Sequence, residues 1–302
     1  MRQLQMFKRI GLFLLVNLLV MVTIGVVLRV LGVGTRLGSH YSSLLIFCFF
    51  WGMGGAFISL ALSRFMAKMF MGVQVIDPHT SDPALANLVQ TVHDLARKAD
   101  IPLPEVGIYQ SDDVNAFATG PTRSRSLVAV STGLMNRMGS REVEGVLGHE
   151  ITHIANGDMV TMTLLQGVIN AFVLFFARIA AFALTQSMRS QDDERRGSPF
   201  LQYILVSVFE VLFSFLGMFV VAAFSRWREF RADAGGARLA GKYEMIGALR
   251  ALQRLHGEPD STDSSAFQAF KISGKKGGFL SLLATHPPLE ERIGRLESSH
   301  QI

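Results

Sequence analysis

The first chemical signal is a run of five residues, His149-Glu150-Ile151-Thr152-His153. Residues i and i+4 share one face of a helix, one turn apart. At that spacing both imidazoles can bind one Zn²⁺, and Glu150 then lies beside the metal as a base toward bound water. The bland alternative is a surface helix that happens to hold two histidines. Two ligands are also too few, because a catalytic zinc usually takes three protein ligands and keeps one position for water. Another part of the chain must supply the third. The flanks favour a helix: Arg141 to Leu147 lead in without proline, Glu142 and Glu144 fall in the first turns, and Gly157-Asp158 follow as a break or bend.

The elements that must position these residues lie in an apolar chain. Its 302 residues suffice for one large domain or two small ones. Hydrophobic residues make up 49% and charged ones only 18%, with mean hydropathy +0.33, which points to a membrane protein. The net charge of +5 does not indicate nucleic acid as a partner. No basic block is interleaved with stacking aromatics, and much of the positive charge flanks apolar runs. Cys48, the only cysteine, sits inside such a run, which excludes an intramolecular disulfide and a thiolate zinc site.

Four apolar runs are long enough to cross a bilayer, at about 10–31, 42–62, 164–184 and 200–224. The first follows a short basic segment with Arg2, Lys8 and Arg9. A signal peptide would have a shorter apolar core and a small-residue cleavage site, so this run reads as an uncleaved anchor. Residues 1–68 then form a transmembrane hairpin and 164–224 a second one. Between them, 69–163 is the first part of a soluble domain that bears the histidine helix, and 225–302 is the second part. Arg2, Lys8, Arg9, Arg64, Lys68, Arg226, Arg228 and Arg231 fall on one side of the membrane, against Arg36, Arg189, Arg195 and Arg196 on the other. That bias makes the side with both termini and the histidines cytoplasmic.

Within the soluble segments, Ser81-Asp82-Pro83 starts a helix that runs with one apolar face to Ala99. Strands are expected at Val106–Tyr109, Ala116–Thr119 and Leu127–Val130, with Pro121–Ser126 as the turn between the last two. Further helices are expected through Arg226 to Leu239, over Tyr243–Leu255 and over Leu289–Leu296. Ser261–Ser265, Gly274–Gly278 and the polar stretch Gln191–Arg196 read as loops. The histidine helix following a helix and a small sheet is the order of a zincin half-domain.

The sidedness restricts the search for the third ligand to 69–163 and the segment after the fourth run. Just past that run stands Arg228-Glu229-Phe230-Arg231-Ala232-Asp233. Glu229 and Asp233 share a helical face; Glu229 can ligate zinc and Asp233 can orient a histidine. Ala232, Gly235 and Gly236 are small enough for close approach to the metal helix. The alternative is a set of charges at a membrane exit, paired with the neighbouring arginines.

At this point the chain resembles the HtpX family of membrane zinc metalloproteases, relatives of the CaaX prenyl proteases within the gluzincins. The resemblance rests on Asn115-Ala116-Phe117-Ala118-Thr119-Gly120, Ser131-Thr132-Gly133-Leu134, Gly148 to His153, Glu229 to Asp233, and Thr285-His286-Pro287-Pro288. It implies one Zn²⁺ per chain held by His149, His153 and Glu229, with Glu150 catalytic. It also implies an α-helical polytopic membrane protein with four transmembrane helices and a zincin-like α+β cytoplasmic metalloprotease domain. The partners implied are the lipid bilayer of a cell inner membrane and protein substrates, misfolded or membrane-bound and including the chain itself, in stress-related quality control.

The chemistry then follows known lines. Zinc lowers the pKa of bound water to about 7, and Glu150 moves the proton to the leaving amine. The oxyanion is held by zinc alone or with His286, whose loop Pro287 and Pro288 stiffen; the alternative is a turn histidine. Asn115–Thr119 is either an edge strand that pairs with substrate or a core strand. Arg178 and Glu210, ~10 and ~15 Å from the outer membrane face, are expected to pair; otherwise Arg178 snorkels outward and Glu210 is protonated. Two other functions compete: a membrane scaffold with structural zinc, which does not need Glu150, and a transporter, which does not need large soluble segments.

Overall fold

The computed structural model describes residues 41–188, 199–257 and 284–299. The first apolar run, about 10–31, lies outside them, as do the basic residues near it, Arg189, Arg195, Arg196 and the three expected loops. Among the described residues, three helices are long and apolar enough to cross a membrane. They are α1 (Tyr41–Phe70), α5 (Asp158–Ser187) and α6 (Pro199–Leu239).

The chain forms two compact units, divided at 58/59, 160/161 and 220/221, inside these three helices. Composition places the boundaries at 69, 164 and 225. The divergence is largest in α1, and the cause is packing. Ala67 joins a buried cluster with Val73, Tyr109, Leu127 and Ala129, and Lys68 Nζ lies 2.8 Å from Glu105 Oε2, with Arg64 on the same carboxylate. The last turns of α1 therefore belong to the sheet-bearing unit.

The helical unit relies on small residues for close contact. A Cβ added to Gly52 would come within 2.5 Å of the Ala171 backbone nitrogen. Arg178 Nη1 is 3.1 Å from Glu210 Oε1, so the two intramembrane charges are partners, and the same nitrogen donates to the Leu174 carbonyl.

The second unit is built on a four-stranded mixed sheet of order β1-β2-β4-β3. Its strands are β1 (Gln74–Val75), β2 (Glu105–Tyr109), β3 (Ala116–Thr122) and β4 (Arg125–Ser131). β2 and β4 pair in parallel; β1 and β3 are antiparallel edges. β1 is two residues long, too short to show alternation in the sequence. The expected turn at Pro121–Ser126 shrinks to two residues, because β3 continues through a register shift between Thr119 and Thr122. Gly120 sits at the shift with φ +141°, a conformation open to glycine.

Helix α2 (Pro83–Lys98) is capped as expected: Asp82 Oδ1 accepts from the Ala84 and Leu85 amides. It buries Leu88, Val89, Val92, Leu95 and Ala96. The short α3 (Thr132–Arg137), absent from the expected elements, is capped by Ser131 Oγ, which accepts from Leu134 N at 3.0 Å. Next comes the histidine helix α4 (Ser140–Asn156), whose apolar face shares the main core with α2 and the sheet. α7 (Lys242–Gly257) and α8 (Leu289–Ser298) complete the unit. The fourth apolar run and the helix expected after it are a single element, α6. Nothing between Phe224 and Ser225 breaks a helix, so the charged turn simply continues the apolar one.

Candidate active site

His149 and His153 project from α4, and both are buried. Their Nε2 atoms lie 3.1 Å apart. Glu229, on α6 five residues beyond the apolar run, is fully buried and closes the triangle. Its Oε2 is 3.4 Å from His149 Nε2, and its Oε1 is 3.4 Å from His153 Nε2. Two ligands bonded to one tetrahedral zinc at about 2.0–2.1 Å stand ~3.3 Å apart. The three side chains therefore fit such an ion with no rearrangement, and they form the metal-type grouping found among the described residues.

Each histidine is held from behind. Asp158 Oδ2 is 2.6 Å from His153 Nδ1, and Asp233 Oδ1 is 2.9 Å from His149 Nδ1. Carboxylates there keep the proton on Nδ1 and aim the Nε2 lone pairs at the common centre. Asp158 reaches back because Gly157 ends α4 at φ +70° and the chain restarts at once as α5. The sequence marked Gly157-Asp158 as a break only. The available signal was the Asp five residues after His153.

Asp233 is in turn gripped by Arg292 of α8. Nη2 donates to Oδ1 at 2.5 Å and Nε to Oδ2 at 2.7 Å. This bidentate clamp on a buried carboxylate was not legible in the sequence, since 59 residues separate its two halves. Arg292 Nη1 also stands 3.7 Å from Glu229 Oε2, and Arg228 Nη2 is 3.1 Å from Oε1.

α4 and α6 approach closely where the small residues were expected to allow it. A Cβ on Gly235 would collide with Thr152, and one on Gly236 would come within 3.0 Å of the His149 nitrogen.

The electrostatics follow. Burial alone lowers the His149 pKa, but hydrogen bonds to Asp233 and Glu229 raise it to about 9 in the metal-free protein. Burial pushes Glu229 up, yet contacts from His149, His153 and His286 outweigh it and hold its carboxyl far below the usual range. A pocket with this charge balance binds protons or a cation in the same place.

Glu150 is half-buried and opens onto a cavity of about 650 Å³ with His149, Glu229 and His286. His286 Nδ1 is 2.9 Å from Glu229 Oε2, and its side chain is 64% exposed. Only its Nε2 is then left to face a substrate. Asn115 and Ala116 line the same cavity at the start of β3, which among the described residues is an edge strand rather than a core one.

Residues 84–300 match peptidase family M48. The chain belongs to that family. It is 50% identical over 304 aligned residues to the protease HtpX homolog of Bacillus pumilus, covering 97% of this chain and 100% of that one. Identity to protease HtpX of Shewanella baltica is 49% over 294 residues, with 97% and 100% covered. Among solved structures, S. mikatae Ste24p superposes with a TM-score of 0.58 at 18% identity. That match covers 91% of this chain and spans 66% of the length of Ste24p, and it establishes a shared fold. Taken with the His/His/Glu grouping and the long apolar helices, M48 membership makes the chain a multi-pass membrane metalloprotease.

Proposed function

We propose that the chain is a zinc-dependent endopeptidase that cleaves membrane or misfolded proteins, itself included, in stress-related quality control. The observation that carries this reading is the 3.1–3.4 Å spacing of the His149, His153 and Glu229 ligand atoms beside a cavity that Glu150 enters. His149, His153 and Glu229 would hold one zinc. The ion would supply Lewis acidity and lower the pKa of water toward about 7.

Everything else is done by side chains. Asp158 and Asp233 fix the imidazole tautomers. Glu150 takes the proton of the attacking water and delivers it to the leaving amine. His286, whose Nδ1 is committed to Glu229, turns Nε2 toward the oxyanion and donates to it as the doubly protonated ring, and the outer edge of β3, unpaired among the described residues, pairs with an extended substrate. An intact Glu150 in an open cavity favours catalysis over a structural zinc site.

Four spans, with both termini and the site on the cytoplasmic side of an inner membrane, complete the reading. It is supported by Arg64 and Lys68 after the second apolar run, and by Arg226, Arg228 and Arg231 after the fourth.

Wild type and Glu150→Gln, purified in detergent with a chelator, are compared after zinc is restored. Casein cleavage and self-cleavage by wild type alone are expected. Equal inactivity with zinc bound to both would move the function to a scaffold; equal activity would give the base role to another residue.

A further inference from the structure

We infer that Trp227 and Arg231 form a seat for the phosphate of an anionic phospholipid, on the side of α6 turned away from the metal ligands. The inference does not depend on the peptidase reading. It names a lipid-headgroup site and the depth at which the third metal ligand stands.

Five cations close the apolar runs on the side that carries the metal ligands: Arg64, Lys68, Arg226, Arg228 and Arg231. Charge counting treats them alike, but the structure separates them. Arg64 and Lys68 share the Glu105 carboxylate. Arg228 turns inward to Glu229 Oε1 at 3.1 Å, and Arg226 Nη1 donates to the Ala284 carbonyl at 2.9 Å. Arg231 is exposed, and among the described residues no carboxylate pairs with it. Its guanidinium carbon instead lies over the Trp227 ring, 4.7 Å from the centroid.

Ala223, Trp227 and Arg231 are four residues apart and follow one exposed stripe of α6. Along that stripe the chain passes from apolar to aromatic to cationic, the order of hydrocarbon, interface and headgroup. Trp227 is 52% exposed and packs on Phe224, the last residue of the apolar run, with ring centroids 5.5 Å apart. It stands about 4.5 Å along the axis beyond that residue. Helical side chains lean toward the N-terminus, which for α6 is the membrane side. The contact with Trp227 thus draws the Arg231 charge back to the level of the ring, where lipid phosphates lie. A cation on a ring face keeps its N–H donors, and a guanidinium can give two of them to one phosphate. Glu229 lies between Trp227 and Arg231 in the chain and faces the opposite way, fully buried. It is about 3 Å along the axis from Trp227, so a lipid on the seat holds the turn bearing this ligand at headgroup depth. The aromatic belt beside the cation favours a lipid over a free anion, which has no use for it.

The test uses the zinc-loaded full chain with Trp51→Phe, which leaves Trp227 as the one tryptophan. It is placed in nanodiscs that mix brominated phosphatidylglycerol with plain phosphatidylcholine, or the reverse, and bromine quenching of Trp227 gives the relative affinity. Phosphatidylglycerol should be preferred about fivefold, the effect of one cation near the surface. Arg231→Gln should bring the two lipids level, and Arg231→Lys should keep much of the preference. Arg231→Gln should also bind zinc as tightly as the parent chain, because Arg231 touches no metal ligand. Inorganic phosphate should leave the preference as chloride does at equal ionic strength.

No quenching by either lipid would place Trp227 outside the bilayer and overturn the inference. Equal quenching by both lipids in the parent chain would overturn it too. A preference that survives Arg231→Gln would give the site to another cation. A preference erased by inorganic phosphate but not by chloride would make the seat a free-anion site, which also overturns the lipid assignment.

Discussion

Gly235→Ala should disable the site from a position that touches no proposed ligand. Gly235 lies on α6, six residues after Glu229, where the helix meets α4. A Cβ built there falls 2.7 Å from Thr152 Oγ1, 3.0 Å from its Cβ and nearer still to Cγ2. Thr152 is buried between the two histidines, and its hydroxyl donates to the Gly148 carbonyl at 2.8 Å, so it cannot rotate away freely. Carbon contacts settle at about 3.5–4.0 Å, so the helices must part by about 1 Å. Metal–ligand distances tolerate shifts of only about 0.2 Å. The methyl therefore separates Glu229 from His149 and His153 by several times the allowed error. Zinc affinity should fall at least about 100-fold, or ~2.7 kcal/mol, on top of an over-packing cost of about 1–3 kcal/mol. Competition against a chromophoric chelator measures the first, and thermal unfolding of the metal-free protein measures the second. Thr152→Ala in the same chain removes Oγ1 and Cγ2 and should restore much of the affinity. Wild-type zinc affinity in Gly235→Ala alone would refute the claim that this contact sets the position of Glu229.

Other expectations follow from the same geometry. Arg292→Ala leaves the buried Asp233 carboxylate with His149 Nδ1 alone and should lower stability by about 1–3 kcal/mol, while Arg292→Lys, with a point charge in place of a fork, should recover only part of it; equal melting of both variants and wild type would dismiss the clamp. His149, with a pKa of about 9 in the metal-free protein, must lose its proton to accept a metal. Zinc binding at pH 7.5 should then release at least about one proton, seen by calorimetry in buffers of different ionisation heat, and affinity should climb with pH until about 9; no proton release would contradict the assigned charge state. Arg178→Ala should unfold earlier than wild type in detergent, with Glu210→Ala in the same chain recovering part of the loss, because the single variant leaves an intramembrane carboxylate without its 3.1 Å partner.

Features that depend on neighbours along the chain could be read from the residue order alone. The helical spacing of His149, Glu150 and His153, the Asp82 cap before Pro83, and the apolar runs are all of this kind, since helix periodicity and local capping act over a few residues. Asp233 as an orienting group was legible for the same reason, four residues from Glu229. So were the small residues that bring α6 against α4. Contacts whose partners are remote in sequence were decided by the tertiary structure. Arg292 closes on Asp233 across 59 residues, and His286 reaches Glu229 across 57. The order of the sheet makes β3 an edge, which no property of Ala116 to Thr122 by itself requires. Asp158 is the intermediate case: near His153 in the chain, it is turned back onto the ring only by the left-handed Gly157. The sequence by itself specified which side chains could do chemistry and on which helical faces they stand. The three-dimensional packing of α4, α6, α7 and α8 decided which of them meet, because burial brings together groups that local backbone geometry does not relate.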